Sequence, residues 1–127
     1  MAKAFALIFG VIYTIVGVAG FIPGIGGTLG MAPSTLLGLG ADINLVHNTV
    51  HLALGFWGLW AASDESRAVA YCQIAGVALI LLGLLGFFFP TGFGIVPLGG
   101  NDPWIHILSG VLLAYAGFMR PGAPARA

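Results

Sequence analysis

Residues 68–89 read Ala68-Val69-Ala70-Tyr71-Cys72-Gln73-Ile74-Ala75-Gly76-Val77-Ala78-Leu79-Ile80-Leu81-Leu82-Gly83-Leu84-Leu85-Gly86-Phe87-Phe88-Phe89, without one charged residue. An unbroken apolar run of about 20 residues has the length that crosses a hydrocarbon core as an α-helix. A membrane strand would alternate polar and apolar positions, and this Leu-, Ala- and Gly-rich run does not. Working outward, comparable runs occupy residues 4–22, 45–62 and 104–119. The last gains a turn if it starts at Asp102-Pro103, because Asp accepts from the first amide groups as an N-cap and Pro suits the first helical position. The expected fold is all-α: a membrane four-helix bundle forming one transmembrane domain, with spans at about 4–22, 45–62, 68–89 and 102–119.

Composition agrees. Of 127 residues, 59% are apolar and 6% charged, the formal net charge is zero, and mean hydropathy is +1.05. A soluble domain needs about 25% charged residues to cover its surface. Disorder requires low hydrophobicity, nucleic-acid binding a basic face, and a disulfide scaffold paired cysteines, so these classes are excluded. Lipid is the expected partner, and nucleic acid is not.

All four basic residues, Lys3, Arg67, Arg120 and Arg126, lie outside the spans. Four crossings place their segments on one side, and the positive-inside rule makes that side cytoplasmic. Both termini are then inside, in a multi-pass membrane protein. Lys3 before an apolar core imitates a signal peptide, but three similar spans follow and the first is read as retained.

Spans one and three share a glycine spacing: Gly10, Gly17, Gly20 and Pro23 against Gly76, Gly83, Gly86 and Pro90. Spans two and four share His51-x-x-x-Gly55 and His106-x-x-x-Gly110. These matches suggest a duplicated two-helix hairpin, its copies inserted the same way up. Ala2, Ala6, Gly10 and Thr14 form a small-residue ridge suited to a close helix partner, within the chain or in another copy.

The connections 23–44 and 90–103 are unusually apolar, with Leu29, Met31, Leu37 and Leu39 in one and Phe93, Ile95 and Leu98 in the other. Such loops lie at the headgroup boundary, fold over the bundle or meet another subunit. Residues 33–37 are expected to form a short interfacial helix. The glycine runs 24–30 and 91–94 lack the Lys, metal ligand or pore helix that would make them phosphate or ion sites, and read as turns.

His47 and His51, one helical turn apart, start the second span, and His106 starts the fourth. With Asp42, Asn48, Asn101 and Asp102 they are expected to converge at the outer end as a polar cluster. Ionisable groups within a membrane segment mark functional candidates. The three histidines are candidate ligands for a cofactor, haem or a chlorin, or for Zn²⁺ or Cu²⁺ with Asp102 as fourth donor. Alternatively they only bond one another and the loops. No cofactor is assigned. No catalytic residue is expected: Cys72 has no histidine on its side of the membrane, and Asp64 and Glu65 belong to a solvated turn.

The runs Ile43-Asn44-Leu45-Val46-His47-Asn48-Thr49-Val50-His51 and Gly100-Asn101-Asp102-Pro103-Trp104-Ile105-His106, with Tyr71 and the closing Tyr115-Ala116-Gly117-Phe118, resemble a bacterial family of four-span membrane proteins of unknown function. The resemblance covers nearly the whole chain. It departs at Pro103, which intervenes between Asn101-Asp102 and the Trp. It implies a polytopic inner-membrane protein and supplies no activity. Two functional readings follow. One is a non-enzymatic structural or accessory subunit of a homo-oligomer or larger membrane complex; the other is a histidine-ligated cofactor or metal protein in electron transfer or light harvesting.

Overall fold

A computed structural model describes residues 1–119. Arg120, Arg126 and the rest of the tail lie outside the described residues. Four α-helices run in chain order: α1 (Ala2–Ala19), α2 (Leu45–Ala61), α3 (Glu65–Phe88) and α4 (Asp102–Phe118). Two of them, α1 and α3, are long and apolar enough to cross a membrane by length and composition.

The helix ends have local causes. Pro23 forces Ile22 into an extended conformation (φ −98°, ψ 103°), so α1 stops at Ala19, short of the expected Ile22. The α3 helix starts early because the Asp64 carboxylate accepts from the Arg67 amide at 3.1 Å, drawing Glu65 and Ser66 into its first turn. In α4 the expected cap is corrected. Asn101 occupies the cap position without a side-chain bond, and Asp102 lies inside the helix with its carboxylate buried.

Each helix packs chiefly against its chain neighbour, α1 on α2 and α3 on α4. The small-residue ridge of α1 faces α2, so it is an intramolecular seam. A Cβ on Gly10 would lie 2.7 Å from the Leu59 amide nitrogen, and one on Gly76 would lie 2.6 Å from that of Ala114. No side chain fits at either crossing. The same correspondence recurs along both hairpins: Gly17 abuts Leu52 as Gly83 abuts Ile107, and Gly55 abuts Thr14 as Gly110 abuts Ile80.

Small residues also bring the hairpins together. Ala6, Ala61, Ala68, Ala75 and Ala116 are buried around Tyr71, Cys72 and Leu113. Trp57 turns inward onto Tyr71, with ring centroids 4.9 Å apart, whereas Trp60 and Trp104 face outward. Large apolar side chains such as Ile15, Phe56, Ile74, Leu81 and Leu108 are exposed on the outer helix faces.

The two long connections form a lid over the end opposite Lys3 and Arg67. Ser34–Thr35 (β1) pairs antiparallel with Asp42–Ile43 (β2), Ser34 opposite Ile43. The expected helix over 33–37 is therefore a strand followed by a tight turn at Leu36–Gly38. Asn44 Nδ2 donates to the carbonyls of Met31 (3.2 Å) and Ile95 (2.9 Å), and Asn101 Nδ2 donates to that of Leu39 (2.9 Å). These bonds satisfy loop carbonyls and fasten the two connections together.

Candidate functional site

The site forms where α2 and α4 begin. Asn44 caps α2, its side-chain oxygen accepting from the His47 amide at 2.9 Å. That fixes the register so that His47 and His51, one turn apart, both point inward, with 2% and 7% of their surface exposed. On α4, Asp102 and His106 repeat the spacing and are equally buried.

The Nε2 atoms of His47 and His51 share a hydrogen bond at 3.1 Å. His47 Nε2 is 3.8 Å from Asp102 Oδ1, and His106 Nδ1 is 3.2 Å from Asp102 Oδ2. The last contact has hydrogen-bond length but not hydrogen-bond direction, since both atoms are buried without a hydrogen-bond partner. One ring nitrogen from each histidine lies within 4.8 Å of the other two. Among the described residues no Lys or Arg pairs with Asp102; the basic side chains within 4 Å of its carboxylate are the imidazoles of His47 and His106.

Two apolar cavities flank the rings. One, of about 120 Å³, lies between the histidines and Leu79, Leu82 and Leu98. The other, of about 140 Å³, is bordered by residues that include Tyr13, Val16, His51, Asp102, His106 and Ser109. Each approaches the volume that holds one benzene-sized ring, about 150 Å³. The imidazole centroids stand only 4.4, 5.7 and 6.2 Å apart. A haem or chlorin macrocycle has no room between or beside them unless the helices separate; the arrangement suits a single ion.

Only part of the expected polar cluster converges. Asp42 sits on β2, where its carboxylate accepts from the Thr35 hydroxyl. Asn48 is buried but turned toward α1, donating to the carbonyls of Gly20 (2.6 Å) and Thr28 (3.3 Å). Asn101 is exposed and tied to Leu39. Asp42, Asn48 and Asn101 are thereby corrected from site members to supports of the lid, because loop carbonyls capture polar side chains close to them. Two contributors went unnoticed in the sequence. Tyr13 packs on His51 with ring centroids 5.3 Å apart, and Asn44 sets the register of both histidines. A buried hydroxyl midway along an apolar run was the available signal for Tyr13.

The family model described as "Domain of unknown function (DUF4383)" matches residues 3–119. The chain belongs to the DUF4383 family. That match takes in both histidine-bearing segments and all four helices. No curated protein and no solved structure matches the chain. Membership in DUF4383 assigns no chemistry.

Proposed function

We propose that this chain is a non-enzymatic, four-span integral protein of the bacterial inner membrane, and that it serves as a structural or accessory subunit in a homo-oligomer or larger membrane complex. The outward helix faces support a lipid setting, since exposed Ile, Leu and Phe side chains there would be costly in water. Lys3 and Arg67 share one end of the bundle, which is the cytoplasmic end under the positive-inside rule. The matched glycine crossings support a duplicated hairpin, with its copies related by a pseudo-two-fold axis along the membrane normal.

The observation that carries the accessory reading lies on the lid. Among the described residues, Leu37 (φ 50°) and Phe93 (φ 60°) are the non-glycine residues with positive φ, and both side chains are exposed, at 60% and 67%. An L-residue in the left-handed region costs about 1–2 kcal/mol. Each half of the lid thus accepts strain to hold a large apolar side chain outward beyond the helix ends, as a docking surface requires.

Native mass spectrometry after mild extraction tests the reading. Assemblies that persist in the native chain and dissociate in the double variant Leu37→Asn, Phe93→Asn support it; a stable lone monomer overturns it. Sidedness is checked with cysteines introduced at Gly24 and Ile95, both exposed on the lid. Labelling by cytoplasmic reagents alone would invert the topology.

A further inference from the structure

We propose that His47, His51, His106 and Asp102 form a mononuclear binding site for a divalent first-row transition-metal cation of the zinc type. The site is independent of the docking surface on the lid.

Spacing is the first argument. Zinc binds imidazole nitrogen at about 2.0–2.1 Å, so two ligands of a tetrahedral ion stand about 3.3 Å apart. Between His47 Nε2 and His51 Nε2 the separation is 3.1 Å, between His106 Nδ1 and Asp102 Oδ2 3.2 Å, and between His47 Nε2 and Asp102 Oδ1 3.8 Å. These pairs connect the four residues through both carboxylate oxygens of Asp102; the three histidines by themselves each place one ligand atom within 4.8 Å of the others, and Asp102 enters as the outer, fourth donor. Drawing in the widest histidine pair, within 4.8 Å, takes about 1.5 Å of closure, which side-chain rotation supplies.

The second argument is the pair of orphaned atoms. His106 Nδ1 and Asp102 Oδ2 lie side by side, buried, with no hydrogen bond between them or to anything else. An uncompensated buried carboxylate is expensive, and no Lys or Arg reaches it among the described residues. A cation between the two atoms satisfies both at once. The hydrogen bond between His47 and His51 resolves only its own pair and leaves Asp102 unbalanced.

The donor set selects the ion. Three imidazoles and one carboxylate favour zinc, copper, nickel or cobalt over magnesium or calcium, which prefer all-oxygen shells. Because two ligands come from each hairpin, the ion would join α2 to α4, helices that make little direct backbone contact.

The test uses the full chain, purified without a histidine tag in detergent and titrated with Zn²⁺ and, separately, Co²⁺. The expected results are one Zn²⁺ retained per chain after dialysis, a thermal midpoint raised by several degrees and reversed by chelator, and the visible d–d bands of tetrahedral Co²⁺. His51→Gln and His106→Gln should each weaken Zn²⁺ binding by more than about tenfold. Glu65→Gln, exposed in the first turn of α3 at the opposite end of the bundle, should bind as the native chain does. If the glutamine variants fail to fold, the Co²⁺ spectrum of the native chain decides: tetrahedral bands support the site, and the spectrum of aqueous Co²⁺ overturns it. Folded native protein that retains no Zn²⁺, or folded glutamine variants that retain it undiminished, reduces the cluster to a hydrogen-bonded fastening and sinks the proposal.

Discussion

His47 and Asp102 face each other 3.8 Å apart, and each stands four residues before a histidine on its own helix. The pair bridges α2 and α4, helices that make little direct backbone contact. Side chains therefore carry this junction. A polar group left single there, in a low-dielectric interior, bears the full cost of desolvation.

Replacing His51 with Leu removes the partner of His47 Nε2 and strands that nitrogen. Thermal unfolding of metal-free protein in detergent should show a loss of about 1–2 kcal/mol, the usual range for a polar contact between membrane helices. An unchanged midpoint would assign these rings no structural duty.

Gly10→Ala and Gly76→Ala should be destabilising to a similar degree, because each added methyl meets backbone that cannot rotate aside. A loss of about 1–3 kcal/mol is expected for each. Gly24→Ala, with nothing within 4 Å, is the control and should fall within about 0.5 kcal/mol of the native chain. Unequal losses at Gly10 and Gly76 would argue against equivalent hairpins.

Leu37→Gly and Phe93→Gly relieve left-handed strain but add freedom to the unfolded chain. Since the relief is the larger of the two, a net gain of about 0.5–1 kcal/mol is expected in monomeric protein. Denaturation curves combined with native mass spectrometry should show higher stability together with weaker association. A variant that loses both would mean that the side chain supports the fold itself.

Asn44→Ala removes a helix cap and two bonds to loop carbonyls in one change. The cap alone is worth about 0.5–2 kcal/mol. Hydrogen exchange should rise both at the first amides of α2 and across residues 91–96. Exchange confined to α2 would show that the link to the second connection contributes nothing.

The helices were legible because an apolar run needs no partner to declare itself: residues 68–89 read as one helix from composition alone, and α3 runs over Glu65–Phe88. That His51 and His106 stand at the same end also followed, from helical spacing and the matched glycine spacings; their ring centroids lie 6.2 Å apart. What remained hidden depended on competition for hydrogen-bond partners. Asn48 and Asn101 are polar residues near the histidines, yet carbonyls exposed by the lid's turns claim them first. Asp102 illustrates the same difficulty from the other side. Asp before Pro suggests a cap, and only the observed first turn of α4 rotates its carboxylate inward. Local signals set where helices begin; how the turn is rotated depends on packing against partners such as His47, 55 residues earlier in the chain.

The bond from Asn44 to the Ile95 carbonyl joins positions 51 residues apart. At a synthesis rate of about 5–20 residues per second, the second partner emerges roughly 3–10 s after the first. The opening hairpin can close its glycine seam at once, but its outer connection must wait with carbonyls unanswered. Residues 23–44 are among the earliest made and among the last to reach their final arrangement. A chain interrupted before residue 95 would lack the acceptor for this bond and leave the first connection without that tie.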